Sequence, residues 1–476
     1  MLKDGRVLRS SRQPLIIGGR ETYLNNLIAA QIVAEAVKPS LGPYGLDKMF
    51  IDSAGVATIT NDGAVFLKEM KTSAMHPIVK IMAEMAQDTD KEVGDGTKTV
   101  IVLSGELLKR ALQLFHKGVH PSIIVEGYID ASRLALDFLE ELAIPIKPED
   151  EVLLKKVAAT ALSGRLQEDR WRIAEIATEA VLTVKEKLGK WYKVDLDNIR
   201  IMRMSGGSLN DSMMIKGIAF NKGAADPHMP KRIKDAKVAL IAGRLKIISV
   251  KLDGRLIITT PQDWHGFLNE EKRILKEWAD RIIKSGASVV LCQKEIDNVI
   301  AQQLAEHGIL AIEKVSETDL YRASRALNGS PVKVEELTSK DLGFAKRVEE
   351  RVVSNERWFF FEGCYNPKSV TVILRGAAEH LITEAERFFH DALSVVKNVV
   401  VNPKVVIGGG AIEAKIASLL KKEARKVGER TQLSILAFAE AIETIPIILA
   451  KNAGMNPLDT LLKLRSYVES KNGWYE

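Results

Sequence analysis

A chain of 476 residues is too long for one small core, which predicts two or three domains. The composition, 46% hydrophobic and 27% charged, is typical of a globular protein and excludes a disordered or collagen-like chain. The net charge of +6 is small for this length and is scattered along the chain, so we expect no nucleic-acid partner.

Two cysteines, Cys292 and Cys364, are too few for a disulfide framework and indicate a reducing compartment. The N-terminal sequence lacks the apolar segment of a signal peptide. No run approaches the roughly 18 uncharged apolar residues that a membrane span needs. We therefore expect a cytoplasmic protein without a membrane span.

Residues 1–140 are predicted to be mostly helical, with one hairpin. Apolar residues fall on one helical face over 22–37, and Pro39 ends that helix. The strand-like segments KMFID and VATIT flank a short turn and predict the hairpin. Apolar spacing predicts two further helices, around 78–85 and 100–114.

The rest of the chain changes character twice. After a proline-containing connection near residue 143 come two helical stretches, the second being DRWRIAEIATEAVLTVKEKL. From about residue 205, β-type runs alternate with helices, which predicts an α/β region. Long helices return after Arg375, over 379–399, 411–427 and 434–452. Helical segments at both chain ends, around an α/β insertion, predict a discontinuous domain closed by the packing of the two ends.

Three glycine-rich loops, at 41–45, 94–99 and 408–410, each adjoin a helix end. Glycine lets a backbone approach a ligand closely, and the free N–H groups at a helix N-terminus bind phosphate. Asp95 is suited to Mg²⁺ through its carboxylate oxygens, and Asp62 is a second carboxylate in a turn. Each loop alone is better explained as a simple turn. Three such loops in one chain weaken that explanation, but spacing does not show that they converge.

Neither standard nucleotide-binding fingerprint matches these loops. A P-loop needs glycine directly before the lysine, and here Thr97 precedes Lys98. The dinucleotide fingerprint fails because Glu413 occupies the position of its last glycine.

The sequence carries eight motif segments in a fixed order: SLGPYGLDKMFID, ITNDGAVFLKEM, EVGDGTKTVIVLSGELL, DPHMPKRIKDAKVALI, VVLCQKEIDNVIAQQLAEHGI, EGCYNPKSVTVILRG, VVIGGGAIE and IPIILAKNAGMNPLDTLLKLR. In this combination, from about residue 18 to residue 467, the chain resembles a group II chaperonin. The archaeal thermosome subunits are the nearest type, and the eukaryotic cytosolic chaperonin is more distant.

The resemblance implies the multi-domain chaperonin fold. A mainly α equatorial ATP-binding domain is expected at 1–142 and 403–476. A small α/β intermediate hinge domain is expected at 143–206 and 366–402, and an α/β apical domain with a helical protrusion at 207–365. The implied function is that of an ATP-dependent, Mg²⁺-dependent chaperone subunit. The implied partners are unfolded client proteins and the same or related subunits, in a double ring that encloses the client.

The resemblance also assigns roles to residues. Asp62 and Asp391 would act on the attacking water, and Asp95 would hold Mg²⁺. The expected nucleotide contacts are Leu41, Gly42, Pro43, Gly63, Gly94, Gly96, Thr97, Lys98, Thr99, Arg165, Gly409 and Gly410. Since Asp391 belongs to another domain, hydrolysis would depend on domain closure. Without the resemblance, a solvated helix residue is the better interpretation of Asp391. Asp62 would then be explained equally well as an ordinary turn residue.

The sequence departs from the family pattern at several positions. Pro39, Thr89, Lys98 and Arg165 stand where the family usually has Ser or Thr, Gln, Thr and Lys. The family pattern also continues beyond Glu476, with another nucleotide-contacting aspartate and a strand that pairs with the neighbouring subunit. We therefore expect poor assembly alone and better assembly with full-length relatives. The alternative function is a structural subunit of a mixed ring with weak ATPase activity.

Lys98 has two possible effects. Its ammonium group either binds phosphate or pairs with Asp95 or Asp62. Both predict turnover about tenfold slower than the family pattern gives, and a faster rate in Lys98→Thr.

Overall fold

The computed structural model describes residues 20–51, 57–60, 63, 76–163, 169–189, 191–247, 261–353, 356–364, 368–427 and 430–469. Its helices, in chain order, are α1 (Arg20–Val37), α2 (Pro77–Val93), α3 (Thr97–His116), α4 (Pro121–Leu142), α5 (Glu151–Ala161), α6 (Arg170–Val184), α7 (Pro261–Ser285), α8 (Asn298–Glu306), α9 (Glu317–Leu327), α10 (Glu379–Val401), α11 (Ala411–Ala424), α12 (Thr431–Asn452) and α13 (Pro457–Glu469).

The strands are short except in the α/β region. They are β1 (Lys48–Ile51), β2 (Ala57–Thr60), β3 (Ile144–Pro145), β4 (Glu186–Leu188), β5 (Trp191–Lys193), β6 (Ile199–Ser205), β7 (Met213–Ile215), β8 (Gly217–Phe220), β9 (Arg232–Ile241), β10 (Val289–Cys292), β11 (Leu310–Ile312), β12 (Pro331–Val332), β13 (Gly343–Val353), β14 (Glu356–Glu362), β15 (Val370–Gly376) and β16 (Lys404–Val405).

The chain divides into two compact units. The first combines the described residues up to Asp150, the segment that starts at Thr160, and the residues from Asn402 onward. The second combines Glu151–Ala159 with Glu168–Val401. The three domains implied by the resemblance have finer boundaries, and those boundaries stay a prediction.

The first unit is a helical body built from both chain ends. Ala30 and Val33 of α1 share a buried cluster with Ile445 and Ile448 of α12. Helix α12 also packs on α4 and α11. By length and composition α12 could cross a membrane, with a mean hydropathy of 1.9, but 67% of its apolar window is buried inside the protein. A long, mostly apolar helix that is largely buried is typical of a protein core.

The second unit contains a sheet of seven strands in the order β11-β10-β9-β13-β14-β8, with β12 also paired to β9. Strands β9, β10, β11 and β12 run parallel, with helices α7, α8 and α9 as their connections. Val289–Cys292 is buried throughout, as expected for a parallel strand covered on both faces. The β-type runs predicted from the sequence in this region are confirmed.

A smaller sheet, in the order β6-β15-β7, completes the second unit. Helix α10 packs on β6 and β15, and Phe388 and Phe389 are among its buried residues. This helix carries Asp391.

Several sequence predictions about elements can be checked directly. The hairpin is confirmed, with Lys48 paired to Thr60. The helix predicted through DRWRIAEIATEAVLTVKEKL is too long, because it ends at Val184 and Glu186–Leu188 pairs with β5. The helix predicted over 411–427 ends earlier, at Ala424.

Candidate nucleotide site

The first glycine loop follows α1 and the 3-10 turn Lys38–Ser40. Leu41 is buried in the core, whereas Pro43 is exposed. Gly42 has φ +85°, and a Cβ there would lie 2.4 Å from Cδ2 of Leu449. A Cβ on Gly45 would lie 2.3 Å from the Ser40 carbonyl oxygen. The loop therefore folds back tightly on itself and on α12, and glycine is required at both positions.

The second glycine loop joins α2 to α3. Gly94 ends α2 in the left-handed conformation, and Gly96, also left-handed, is the N-cap of α3. The exposed Asp95 carboxylate accepts a hydrogen bond from the Gly96 N–H at 2.6 Å. Thr97 and Thr99 lie in the first turn of α3, whose N–H groups have no partner within the helix. These groups and the helix dipole suit an anionic ligand.

The third glycine loop precedes α11. Gly409 and Gly410 have φ +70° and +85°, and Gly410 is the N-cap of the helix. A Cβ on Gly410 would lie 2.5 Å from Cβ of Pro446 and 2.9 Å from its Cα. Around Gly408 and Gly409, by contrast, an added Cβ would meet no atom within 4 Å. The loop is thus pressed onto α12 at one end and open at the other.

The loops converge. Helix α12 contacts the third loop through Pro446 and the first loop through Leu449, one turn apart. Asn452, at the end of α12, donates from Nδ2 to the carbonyl oxygens of Lys38, at 2.9 Å, and Leu41, at 2.8 Å. The sequence could not decide whether the loops meet, and the structure brings them together.

The second loop joins this group through Lys98, whose Nζ donates to the Ser40 carbonyl oxygen at 2.8 Å. This partner was not among those that the sequence suggested for Lys98. Gly63 is buried beside the second loop. A Cβ added at Gly63 would lie 2.6 Å from Cγ of Lys98 and 2.9 Å from Oγ1 of Thr97.

A buried ion pair connects the start of the first loop to α3. Lys38 pairs with Glu35 and with Glu106, which is only 3% exposed. Burial opposes the charge on Lys38, but hydrogen bonds to the two carboxylates outweigh burial and raise the pKa of Lys38. Burial likewise opposes the charge on Glu106, and the Lys38 hydrogen bond lowers the pKa of Glu106. Both groups are therefore charged at neutral pH.

Asp62 and Arg165 lie outside the described residues. Asp391 is half-buried on α10, in the second unit.

Sequence reasoning did not single out Asn452 or Glu106. The available signal for Asn452 was its position as the polar last residue of a long, mostly apolar helix.

Comparisons with known proteins agree with this architecture. The family model for the TCP-1/cpn60 chaperonin family matches residues 33–475. Thermosome subunit beta of Thermococcus kodakarensis is 45% identical over 448 residues, covering 94% of this chain and 82% of the relative. Thermosome subunit alpha of Archaeoglobus fulgidus is 43% identical over 459 residues, covering 96% of this chain and 84% of the relative.

The chain therefore belongs to the TCP-1/cpn60 chaperonin family. The thermosome relatives identify it more narrowly as a group II chaperonin subunit, as the sequence motifs predicted. Its function is that of a chaperonin subunit.

Proposed function

We propose that this chain binds ATP with Mg²⁺ among the three glycine loops and hydrolyses it as part of a cytoplasmic double ring that encloses and folds non-native proteins. The convergence of the loops on α12 and Lys98 carries the proposal. Family membership supports it, because group II chaperonins use ATP.

In this proposal the loops divide the nucleotide between them. Leu41, Gly42 and Pro43 line it on one side, and Gly409 and Gly410 flank the ribose. The N–H groups at the start of α3 bind the phosphates, with Gly63 and Gly94 shaping the backbone around them and Arg165 as a further contact.

Asp95 fits the role of the Mg²⁺ ligand. Its carboxylate is exposed and held by the Gly96 N–H, beside the phosphate-binding end of α3. The described residues contain no group of three His, Cys, Asp or Glu side chains that could hold a metal alone. This suits Mg²⁺, which is often held by one or two carboxylates together with substrate phosphates. When bound, Mg²⁺ would neutralise phosphate charge.

Asp62 and Asp391 are proposed to orient and activate the attacking water. Asp62→Ala and Asp391→Ala should each lower ATP hydrolysis by about 100-fold or more, with ATP affinity nearly unchanged. Steady-state ATPase assays and ATP titration measure the two quantities. Asp130→Ala, on the surface of α4, is a matched control that should hydrolyse normally. Wild-type turnover in either site variant would refute the assignment.

A second candidate function is a structural subunit of a mixed ring with weak ATPase activity. The observation that favours it is Lys98, which stands where the family usually has Thr and contacts the first loop instead of leaving the end of α3 open. Mg²⁺-dependent ATPase rates of the protein alone and in mixed rings with related subunits would separate the two functions. A low rate alone that does not rise in the mixed ring favours the structural subunit.

Assembly and client binding need separate tests. Particle mass, measured with and without nucleotide, tests the double ring. Suppression of aggregation of a chemically unfolded protein tests client binding, and ATP-dependent recovery of that protein's activity tests folding. Absence of both effects from assembled rings would contradict the chaperone function.

A further inference from the structure

The backbone that leads into the first glycine loop is held by side chains from two other helices. Asn452 of α12 donates both hydrogens of Nδ2, one to the Lys38 carbonyl oxygen and one to that of Leu41. Lys98 of α3 donates to the Ser40 carbonyl oxygen between them. Three carbonyl groups within four residues are thus engaged by side-chain donors.

The Lys38 carbonyl oxygen also accepts from the Leu41 N–H at 3.2 Å, so Asn452 is its second donor. The last carbonyl groups of a helix receive no hydrogen bond from an N–H group of the same helix, and they form the negative end of its dipole. Carbonyl oxygens without donors near an anionic ligand would repel it, so side-chain donors on this turn favour the ligand expected here. The Lys98 ammonium group offsets this negative end, and the Asn452 amide fixes the loop without adding a charge.

Backbone hydrogen bonds and the burial of Leu41 also hold the loop. The Gly45 N–H donates to the Gly42 carbonyl oxygen at 3.0 Å, and the Leu46 N–H donates to that of Pro39 at 2.9 Å. These bonds close the turn, but they do not attach it to α3 or α12. Leu41 attaches the loop to both helices through the apolar cluster that contains Ile101 and Ile448. The Asn452 and Lys98 side chains add the hydrogen bonds that join its backbone to the two helices.

We infer that Asn452 and Lys98 are positioning residues, which hold the Leu41–Pro43 loop in the conformation that accepts nucleotide. The inference rests on the proposed nucleotide function. It adds Asn452 to the site and gives Lys98 a positioning role, and both side chains should affect affinity more than the maximal rate. The slower turnover expected from Lys98 concerns the chemical step, whereas the positioning role concerns the affinity for nucleotide.

The first test is titration of the full chain with Mg²⁺-ADP by calorimetry. Asn452→Asp keeps the shape but has no hydrogen to donate when ionised, so its Kd should rise about tenfold or more. Lys98→Met should raise Kd about three- to tenfold, and Lys98→Arg, which keeps donors, should lose less. In ATPase assays KM should rise by more than kcat changes.

Two control variants match these changes. Asn456→Asp makes the same substitution at the N-cap of α13, where Oδ1 accepts from the Leu458 N–H, so the acceptor is retained. Lys91→Met removes an exposed lysine from α2. Both should bind ADP within about twofold of the unchanged protein.

The second test needs no nucleotide. Amide hydrogen exchange over residues 41–46 should speed up in Asn452→Asp and Lys98→Met relative to both controls. Equal Kd values in Asn452→Asp and Asn456→Asp, or unchanged exchange over 41–46, would overturn the inference. If the unchanged protein does not bind ADP, the proposed function fails, and the exchange measurement decides alone whether the two side chains hold the loop.

Discussion

The third glycine loop allows backbone strain and steric overlap to be separated by three neighbouring substitutions. Gly408 lies outside the left-handed region and has open space where a Cβ would lie. Gly409 is left-handed at φ +70° but also open. Gly410 is left-handed at φ +85° and pressed against Pro446. Alanine at position 408 should therefore add neither cost, alanine at 409 should add backbone strain, and alanine at 410 should add both strain and steric overlap.

The expected costs follow from these geometries. Gly408→Ala should be neutral or stabilising by about 0.5 kcal/mol, because alanine restricts the unfolded chain. Gly409→Ala should destabilise by about 1 kcal/mol, since left-handed strain exceeds that gain. Gly410→Ala adds the overlap at 2.5 Å and 2.9 Å with the ring and Cα of Pro446, which cannot rotate away. Overpacking of this kind brings the total to about 3 kcal/mol.

Differential scanning calorimetry measures the series. For a unit of this size each 1 kcal/mol corresponds to a shift of about 2–4 °C in Tm. We therefore expect Tm to fall by about 6–12 °C in Gly410→Ala and by about 2–4 °C in Gly409→Ala. Equal losses in these two variants would show that Pro446 does not limit the space at Gly410.

Two ion pairs give further predictions. Burial opposes the charge on Glu443, but hydrogen bonds from Arg465 and Lys421 lower the pKa of its carboxyl group. The stability that this carboxylate contributes is therefore fully present above pH 4.5 and is lost as the pH falls through the lowered pKa of the folded protein. Tm measured from pH 6 to pH 3 should fall less steeply in Glu443→Gln than in the unchanged protein, and parallel curves would contradict this. Nη2 of the mostly buried Arg200 lies 3.0 Å from Oδ2 of Asp319, and Asp319→Ala removes this carboxylate. The free energy of unfolding of the second unit, measured by urea titration, should then fall by about 3 kcal/mol. Asp319→Asn, which keeps a hydrogen-bond acceptor, should lose less, and equal losses would argue against the pair.

Local patterns in the sequence predicted the elements well. Apolar spacing gave the main helices, and the KMFID and VATIT segments gave the hairpin, because these signals depend on neighbouring residues. The end of α6 was wrong because the short strand Glu186–Leu188 depends on its pairing with β5, which helix spacing does not reveal. The family and its subunit function followed from the combination of motifs, and the comparisons confirm both.

The site was only partly predictable. The glycines were visible in the sequence, but their meeting point depends on Pro446 and Leu449, which look like ordinary core residues of an apolar helix. Lys98 was recognised as unusual, yet its bond to Ser40 could not be foreseen, since a flexible side chain selects its partner in three dimensions. The roles of Asp62 and Asp391 stay predictions.

The hydrogen bond between Leu41 and Asn452 joins residues that are 411 positions apart. Closing so long a loop costs entropy that only the finished packing of both ends offsets. During synthesis from the N-terminus, the first two glycine loops therefore emerge long before the helix that completes their surroundings. We expect nascent chains that lack α12 to bind no nucleotide. ATP binding should therefore become possible only late in synthesis, after the two ends of the subunit have packed together correctly.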